Sequence, residues 1–192
     1  MLTKAINIIS TQFCPLSAES VADLTNYAEL LNFKKGHQLI HEGQYSDELF
    51  FIIEGSAKAY YVKDGKIITD WFAFENEFIC AINSFFLFIP SPHYIELLED
   101  STLILIRRAD MMTLCNKHHD IERLGRLSAT KTMLQLQQRV VSLQFETAQQ
   151  RYLNLLSQYP HIEQRASLGE IASFLGITQE TLSRIRAARK RI

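Results

Sequence analysis

The sequence predicts an α+β chain: an N-terminal β jelly roll with flanking helices, one long helix, and a helix-turn-helix at the C-terminal end. Three observations point there. Between Gly36 and Arg107, short β-rich runs alternate with turn signals, which is the pattern of a sandwich or roll. From Ile121 the apolar residues recur every three, four or seven positions, and no proline lies between Pro92 and Pro160, so a helix of roughly 20 residues or more fits. Near the end of the chain a capping box, a glycine and a second cap follow one another at the offsets two crossing helices require.

Taken in order, Ser17 reads as the N-cap of a helix whose apolar face would be Val21, Leu24, Tyr27, Leu30 and Leu31. Strands are expected at 38–40, 49–53, 57–62, 67–74, 94–98 and 103–106, separated by turns that include Glu42-Gly43, Glu54-Gly55 and Asp64-Gly65. The last is a strong hairpin dipeptide. The long helix carries Ile121, Leu124, Leu127, Leu134, Val141 and Phe145 at helical spacing. It either lies on its own roll or pairs with a second copy. Pairing is the preferred reading, because a long helix linking two lobes has little local structure to cover it, and Leu124, Leu127, Leu134 and Val141 are the candidate seam. A break at Glu146-Thr147 opens another helix, with Tyr152, Leu153, Leu155 and Leu156 apolar. The expected organisation is a sensor roll over 1–119, a dimerisation helix over 120–145 and a helix-turn-helix unit over 146–192.

A chain of 192 residues with 47% apolar and 21% charged content can bury a core. Its net charge of −1 hides an asymmetry, since residues 151–192 hold seven Lys/Arg against three acids. The three cysteines form no C-x-x-C pair, which argues against a zinc ribbon or redox centre. Neither a basic leader followed by an apolar run nor an 18-residue apolar stretch is present, so a cytoplasmic protein with no membrane partner is expected. Catalysis is not expected either: there is no G-x-S-x-G, no H-E-x-x-H and no H-x-H pair. His118-His119 would point to different sides of a helix, so no metal site is expected.

In the C-terminal segment, Ser167-Leu168-Gly169-Glu170 is a capping box. Ile171, Ala172, Phe174 and Leu175 follow, Gly176 allows the left-handed turn, and Thr178 caps a second helix with Leu182 and Ile185 inward. An αα-hairpin used only for packing would share some of these features. The basic local charge and the combined offsets favour duplex DNA as the partner. The first residues of a recognition helix meet base edges, here Gln179, Glu180, Ser183 and Arg184. Thr178, Arg186, Arg189, Lys190 and Arg191 are the candidates for phosphate. Glu180 and Arg184 also stand at i, i+4, so an ion pair between them is compatible with base reading.

Two blocks carry a resemblance to the Crp/Fnr family of bacterial regulators. Phe33-Lys34-Lys35-Gly36-His37-Gln38-Leu39-Ile40-His41-Glu42-Gly43 with Glu48-Leu49-Phe50-Phe51-Ile52-Ile53-Glu54-Gly55 resembles the start of a cyclic-nucleotide-binding-type roll, and Glu180-Thr181-Leu182-Ser183-Arg184-Ile185 is similar to the family's recognition helix. The resemblance implies a jelly roll, a long dimerisation helix, a winged helix, a homodimer on a roughly palindromic site and regulation of transcription, with RNA polymerase as a further partner. Several departures stand out. Where nucleotide-binding members carry a Gly-Glu pair this chain has Cys80-Ala81, and where they carry an arginine it has Ile89-Pro90-Ser91-Pro92-His93. No Lys or Arg occurs from Ile67 to Ile106, so no cation in that stretch could pair a phosphate. Cyclic AMP is therefore not expected, and no cofactor is assigned. An effector pocket, if formed, would involve Phe78, Cys80, Ala81, Ser91 and His93, filled by a hydrophobic ligand or, preferably, by the chain's own side chains. There is no N-terminal cysteine cluster for an iron–sulfur centre. The sequence ends at Ile192, so the wing is expected to be truncated or absent. The alternative function is a signalling or protein-interaction module, built on the same roll, that does not bind DNA.

Overall fold

The computed structural model describes residues 2–189. Two helices lead: α1 (Leu2–Gln12) and α2 (Ala18–Tyr27). Ser17 caps α2, its Oγ accepting from the Ser20 N–H. Ala28 then turns extended (ψ 139°), so Leu30 and Leu31 belong to strand β1 (Glu29–Phe33) and not to the helix expected from their spacing. The roll continues with β2 (Gln38–Ile40), β3 (Glu48–Glu54), β4 (Ala57–Lys63), β5 (Lys66–Ala73), β6 (Phe78–Cys80), a short helix α3 (Ile82–Leu87), β7 (Tyr94–Leu97) and β8 (Ser101–Arg107). Helices α4 (Arg108–Lys117), α5 (His119–Phe145), α6 (Ala148–Gln158), α7 (Ile162–Arg165), α8 (Leu168–Phe174) and α9 (Gln179–Arg189) complete the described residues.

Two antiparallel four-stranded sheets, ordered β1-β8-β3-β6 and β2-β7-β4-β5, face each other. At the β4–β5 turn Asp64 (φ 52°) and Gly65 (φ 71°) are both left-handed, and Lys63 pairs with Lys66. This is the tight hairpin that the Asp-Gly dipeptide favours. Alternation along each strand sends one set of side chains inward. Phe50 and Ile52 of β3, Ala57 and Ala59 of β4, and Leu103 and Leu105 of β8 fill the space between the sheets with Ile40, Ile79, Ile95 and Leu97.

The opposite faces are covered as well, which is why β8 reads as an unbroken apolar run. Phe51, Ile104 and Ile106 point out of the first sheet onto Ile6 and Ile9 of α1, Leu24 of α2, Leu114 of α4, and Ile121 and Leu124 of α5. Asp120 ties this layer together. Its carboxylate accepts from Ser17 N (2.7 Å) and Ser20 Oγ (2.6 Å), and these bonds hold its pKa below the usual carboxylate value against the opposing effect of burial.

The second sheet receives the C-terminal unit. Phe72, Phe74 and Leu98 from the roll form one apolar cluster with Tyr152, Leu155, Ile162, Ile171, Leu175 and Leu182. Ion pairs flank it. Lys58, with its side chain only 7% exposed, lies 2.5 Å from Glu170 of α8 and 3.4 Å from Glu96 of β7. Arg165 grips both oxygens of Glu75 (2.6 and 2.8 Å) and reaches Glu99 at 2.7 Å. Backbone joins backbone through Ser173, whose Oγ accepts from Thr69 N and donates to the Ile67 carbonyl. No helix among the described residues is long and apolar enough to cross a membrane.

Candidate nucleic-acid interface

The local chemistry of α8 and α9 sets the site. Ser167 Oγ accepts from Glu170 N while Glu170 Oε2 accepts from Ser167 N at 2.7 Å, closing the capping box. Ala172 is buried, which lets the two helices approach, and its carbonyl takes the Ile177 N–H at 3.0 Å. Gly176 bridges them at φ 67°. Thr178 then caps α9, with Oγ1 accepting from Thr181 N. Leu182 is fully buried and Ile185 packs behind it.

This anchoring leaves Thr178, Gln179, Glu180, Ser183 and Arg184 exposed at the start of α9. The structure brings all four candidate base readers onto one free surface. Arg184 does not close an ion pair on the Glu180 carboxylate; its Nε lies 3.4 Å from the Glu180 carbonyl oxygen. The Glu180 carboxyl is held below its ordinary pKa first by the Thr178 hydroxyl and more weakly by Arg184, so it stays an acceptor. Gln179 lies beside the first turn of α8, its Nε2 at 2.7 Å from where a Cβ on Gly169 would stand.

The basic residues further along divide. Arg186 Nε pairs with Glu163 Oε1 at 2.7 Å, and Tyr152 donates its hydroxyl to that same oxygen. Arg189 lies 3.9 Å from the other oxygen. Arg186 therefore links α9 to α7 through Glu163 while its side chain stays 34% exposed, so it is not a free cation in the single chain. Arg189 is more exposed, and Lys190 and Arg191 lie outside the described residues.

The proposed seam also needs correction. Leu124, 1% exposed, is buried in the layer between α5 and the roll, and Leu127 packs against that layer. The uncovered apolar residues start later: Met133, Leu136, Val140 and Leu143 recur at helical spacing, flanked by Leu134, Val141 and Phe145, the last 79% exposed. Leu134 and Val141 keep their expected exposure; Leu124 and Leu127 do not.

Nor do the five candidate pocket residues meet in one cavity. Phe78 faces the helix layer, its ring tilted against Phe13 and Phe51, while the neighbouring Ile79 and Ala81 face the roll interior. Alternation separates them, so Phe78 is corrected to a packing residue. Burial pushes the Cys80 thiol up to about 12. Ser91 Oγ donates to the His93 carbonyl. A cation beside α3 is already engaged: Arg108 donates to the Ser84 and Phe85 carbonyls and lies 3.8 Å from the Phe88 ring centroid. Glu19, Asp23 and His118 gather within 4.8 Å, but Lys117 Nζ, 2.6 Å from Asp23, supplies the counter-charge there.

His93 is 7% exposed, and neither ring nitrogen has a hydrogen-bond partner. Burial holds its pKa below the ordinary 6.5, with Asp70 acting weakly the other way. Because the folded value is depressed, protons bind the unfolded chain more readily, and stability falls as pH drops through 6.5. Removing two unsatisfied buried nitrogens should therefore help: His93→Phe is expected to stabilise by about 1 kcal/mol at neutral pH and to flatten the stability profile between about pH 7 and 5. Thermal melts of both proteins across that range check this, and a less stable variant with an unchanged pH slope would refute it.

Residues 30–118 match the family model described as the cyclic nucleotide-binding domain. No curated protein matches the sequence significantly. Among solved structures, FixK2 from Bradyrhizobium japonicum aligns with a TM-score of 0.71 at 17% identity, covering 84% of this chain and 83% of that one. The c-di-GMP-responsive global regulator CLP of Xanthomonas campestris also scores 0.71, at 14% identity over 91% of this chain and 92% of that one. The Thermus thermophilus catabolite activator protein scores 0.58 at 18% identity, covering 96% and 87%. Residues 30–118 thus match the cyclic nucleotide-binding domain family, and the chain as a whole has the fold of the Crp/Fnr regulators.

Proposed function

We propose that this protein is a sequence-specific, DNA-binding transcription regulator that acts as a homodimer on a roughly palindromic site, working at promoters with RNA polymerase. The observation that carries this is the start of α9. Gln179, Glu180, Ser183 and Arg184 project from a helix locked by a buried Leu182, a left-handed Gly176 and two capped N-termini, and none of the four is tied to another side chain by an ion pair. The uncovered apolar stripe of α5 supports pairing with a second copy. Paired long helices would hold two α9 helices about 34 Å apart, one helical turn of DNA. Three parts divide the work: the roll over 1–119, the dimerisation helix over 120–145 and the DNA-reading unit over 146–192.

The roll in this reading is not a cyclic-nucleotide receptor, and the protein is not an enzyme. Apolar side chains pack the space between the sheets, no Lys or Arg occurs from Ile67 to Ile106, and Arg108 is committed to carbonyls of α3. A phosphate placed there would find no free guanidinium.

Arg184→Ala tests the role of α9. It should cost about 1–3 kcal/mol on the preferred site and relax selectivity at one base pair, with little effect on random duplex. Competition binding of both proteins to a selected site and to random DNA measures this. Equal losses on the two DNAs would assign Arg184 to the backbone and defeat the base-reading role.

A further inference from the structure

We propose that the groove between α5, α6 and the turn of the helix-turn-helix is a binding site for a small organic anion with a planar apolar body, such as an aromatic carboxylate. The groove has a volume of about 420 Å³, within the range of small-molecule sites. It lies where the roll, the long helix and the DNA-reading unit meet. Its apolar walls are aromatic: Trp71 and Phe72 from β5, Tyr159 after α6 and Phe174 from α8.

Its charges are unbalanced. Arg139 and Arg151 both line it, and among the described residues neither has a carboxylate within ion-pair distance. Arg139 Nη1 donates to the Phe174 carbonyl at 3.0 Å, with the guanidinium 4.0 Å from the Phe174 ring centroid. Arg151 donates through Nε to the Leu175 carbonyl at 2.9 Å and through Nη1 to the Glu146 carbonyl at 2.7 Å. Both cations thus rest on neutral carbonyls, two of them consecutive along the chain, and both line the same groove. Burial disfavours the charge of Arg139, and Asp70 only partly opposes this. The carboxylate that lines the groove, Glu146, already accepts from Ser142 Oγ and from Asn154 Nδ2. Two guanidiniums against one satisfied carboxylate leave the lining net positive, and a partly buried guanidinium gains most from a charge-assisted, two-pronged bond to a carboxylate or phosphate.

The position gives such a ligand a lever. Phe174 O and Leu175 O are the last carbonyls before Gly176, so whatever engages Arg139 and Arg151 competes for the groups that hold the turn ahead of α9. This site is separate from the space between the two sheets of the roll. Binding at it stands without DNA; any effect on DNA affinity rests on the function proposed above.

Trp71 is the single tryptophan of the chain and reports on the groove directly. The test uses the full chain with 2-naphthoate as the anionic probe and naphthalen-2-ylmethanol as its uncharged counterpart, followed by calorimetry and Trp71 emission. We expect naphthoate to saturate at one per chain, to perturb Trp71 and to bind at least about tenfold more tightly than the alcohol. Arg139→Gln should reduce naphthoate affinity at least about tenfold, and Arg139→Lys, which keeps the charge, should restore much of it. Equal affinity for the two probes would overturn the proposal, because an apolar groove or one covered by a second copy would not distinguish them. Naphthoate binding unchanged in Arg139→Gln, or no binding up to millimolar probe, would also overturn it. None of these outcomes bears on DNA recognition, so the two readings fail separately.

Discussion

Replacing Val140 with glutamate is expected to turn the proposed dimer into a monomer and to lower affinity for a two-half-site duplex about a hundredfold or more. Val140 sits near the middle of the uncovered stripe formed by Met133, Leu136, Val140 and Leu143, and is 53% exposed in the single chain. In a symmetric pair of α5 helices the new carboxylate would meet apolar neighbours and its own copy, so both desolvation and like-charge repulsion oppose pairing. The substitution touches neither α9 nor the apolar cluster under it, so binding to a single half-site should survive. Scattering with anisotropy on one-site and two-site duplexes separates these effects. A Val140→Glu protein that remains dimeric would place the seam elsewhere.

The second large effect concerns the join between the roll and the helix-turn-helix unit. Lys58→Met should destabilise the protein by about 3–5 kcal/mol, because it leaves Glu96 and Glu170 facing each other with their cation gone. Lys58 is the buried centre of that trio. Glu170 has two tasks, since it also closes the capping box that starts α8; its loss of alignment should loosen the helix-turn-helix as well as the join. Combining Lys58→Met with Glu96→Gln and Glu170→Gln should recover much of the loss, since the charges that needed pairing are removed together. The pH sense follows from Glu170. Burial raises the pKa of its carboxyl, but Lys58 and the Ser167 bonds together outweigh burial and hold it below the ordinary 4.5. The stability it contributes is therefore present above that ordinary value and is lost as pH falls through the depressed one. Denaturant melts of the three proteins at neutral and acid pH measure each step; a single variant as stable as the parent would show that the trio holds nothing.

Local chemistry was the legible part of this chain. The Ser167–Glu170 capping box, the left-handed Gly176 and the Asp64-Gly65 hairpin each depend on residues within four positions, and each stands as its spacing suggests. Strand β1 was hidden because Leu30 and Leu31 continue the helical period of α2, with no glycine or proline to mark the change at Ala28. Helix α1 left little signal for a similar reason, its apolar Ile6 and Ile9 being explained only by the sheet face they cover.

Questions of partnership were not legible. The apolar spacing of α5 is the same where Leu124 is buried against the roll and where Val140 is 53% exposed, so periodicity could not say where the proposed seam begins. The alternation of β6 decides that Phe78 packs outward, and only the register with Phe51 of β3 shows which way the alternation runs. The pairing of Arg186 with Glu163 was hidden because Glu163 lies on another helix across Tyr152. The groove at Arg139 and Arg151 depends on carbonyls 35 and 24 residues away, a distance no local pattern spans.

The central claim, that α9 reads base sequence in a dimer, is tested most directly by selecting bound duplexes from a random pool with the purified chain at about 100 mM salt. The account predicts enrichment of a two-fold symmetric sequence with half-sites centred about 10 base pairs apart, unchanged by added cyclic AMP. A pool that stays random through successive rounds, both alone and with the anion that fits the groove, would contradict it and would leave the chain as an interaction module that does not read DNA.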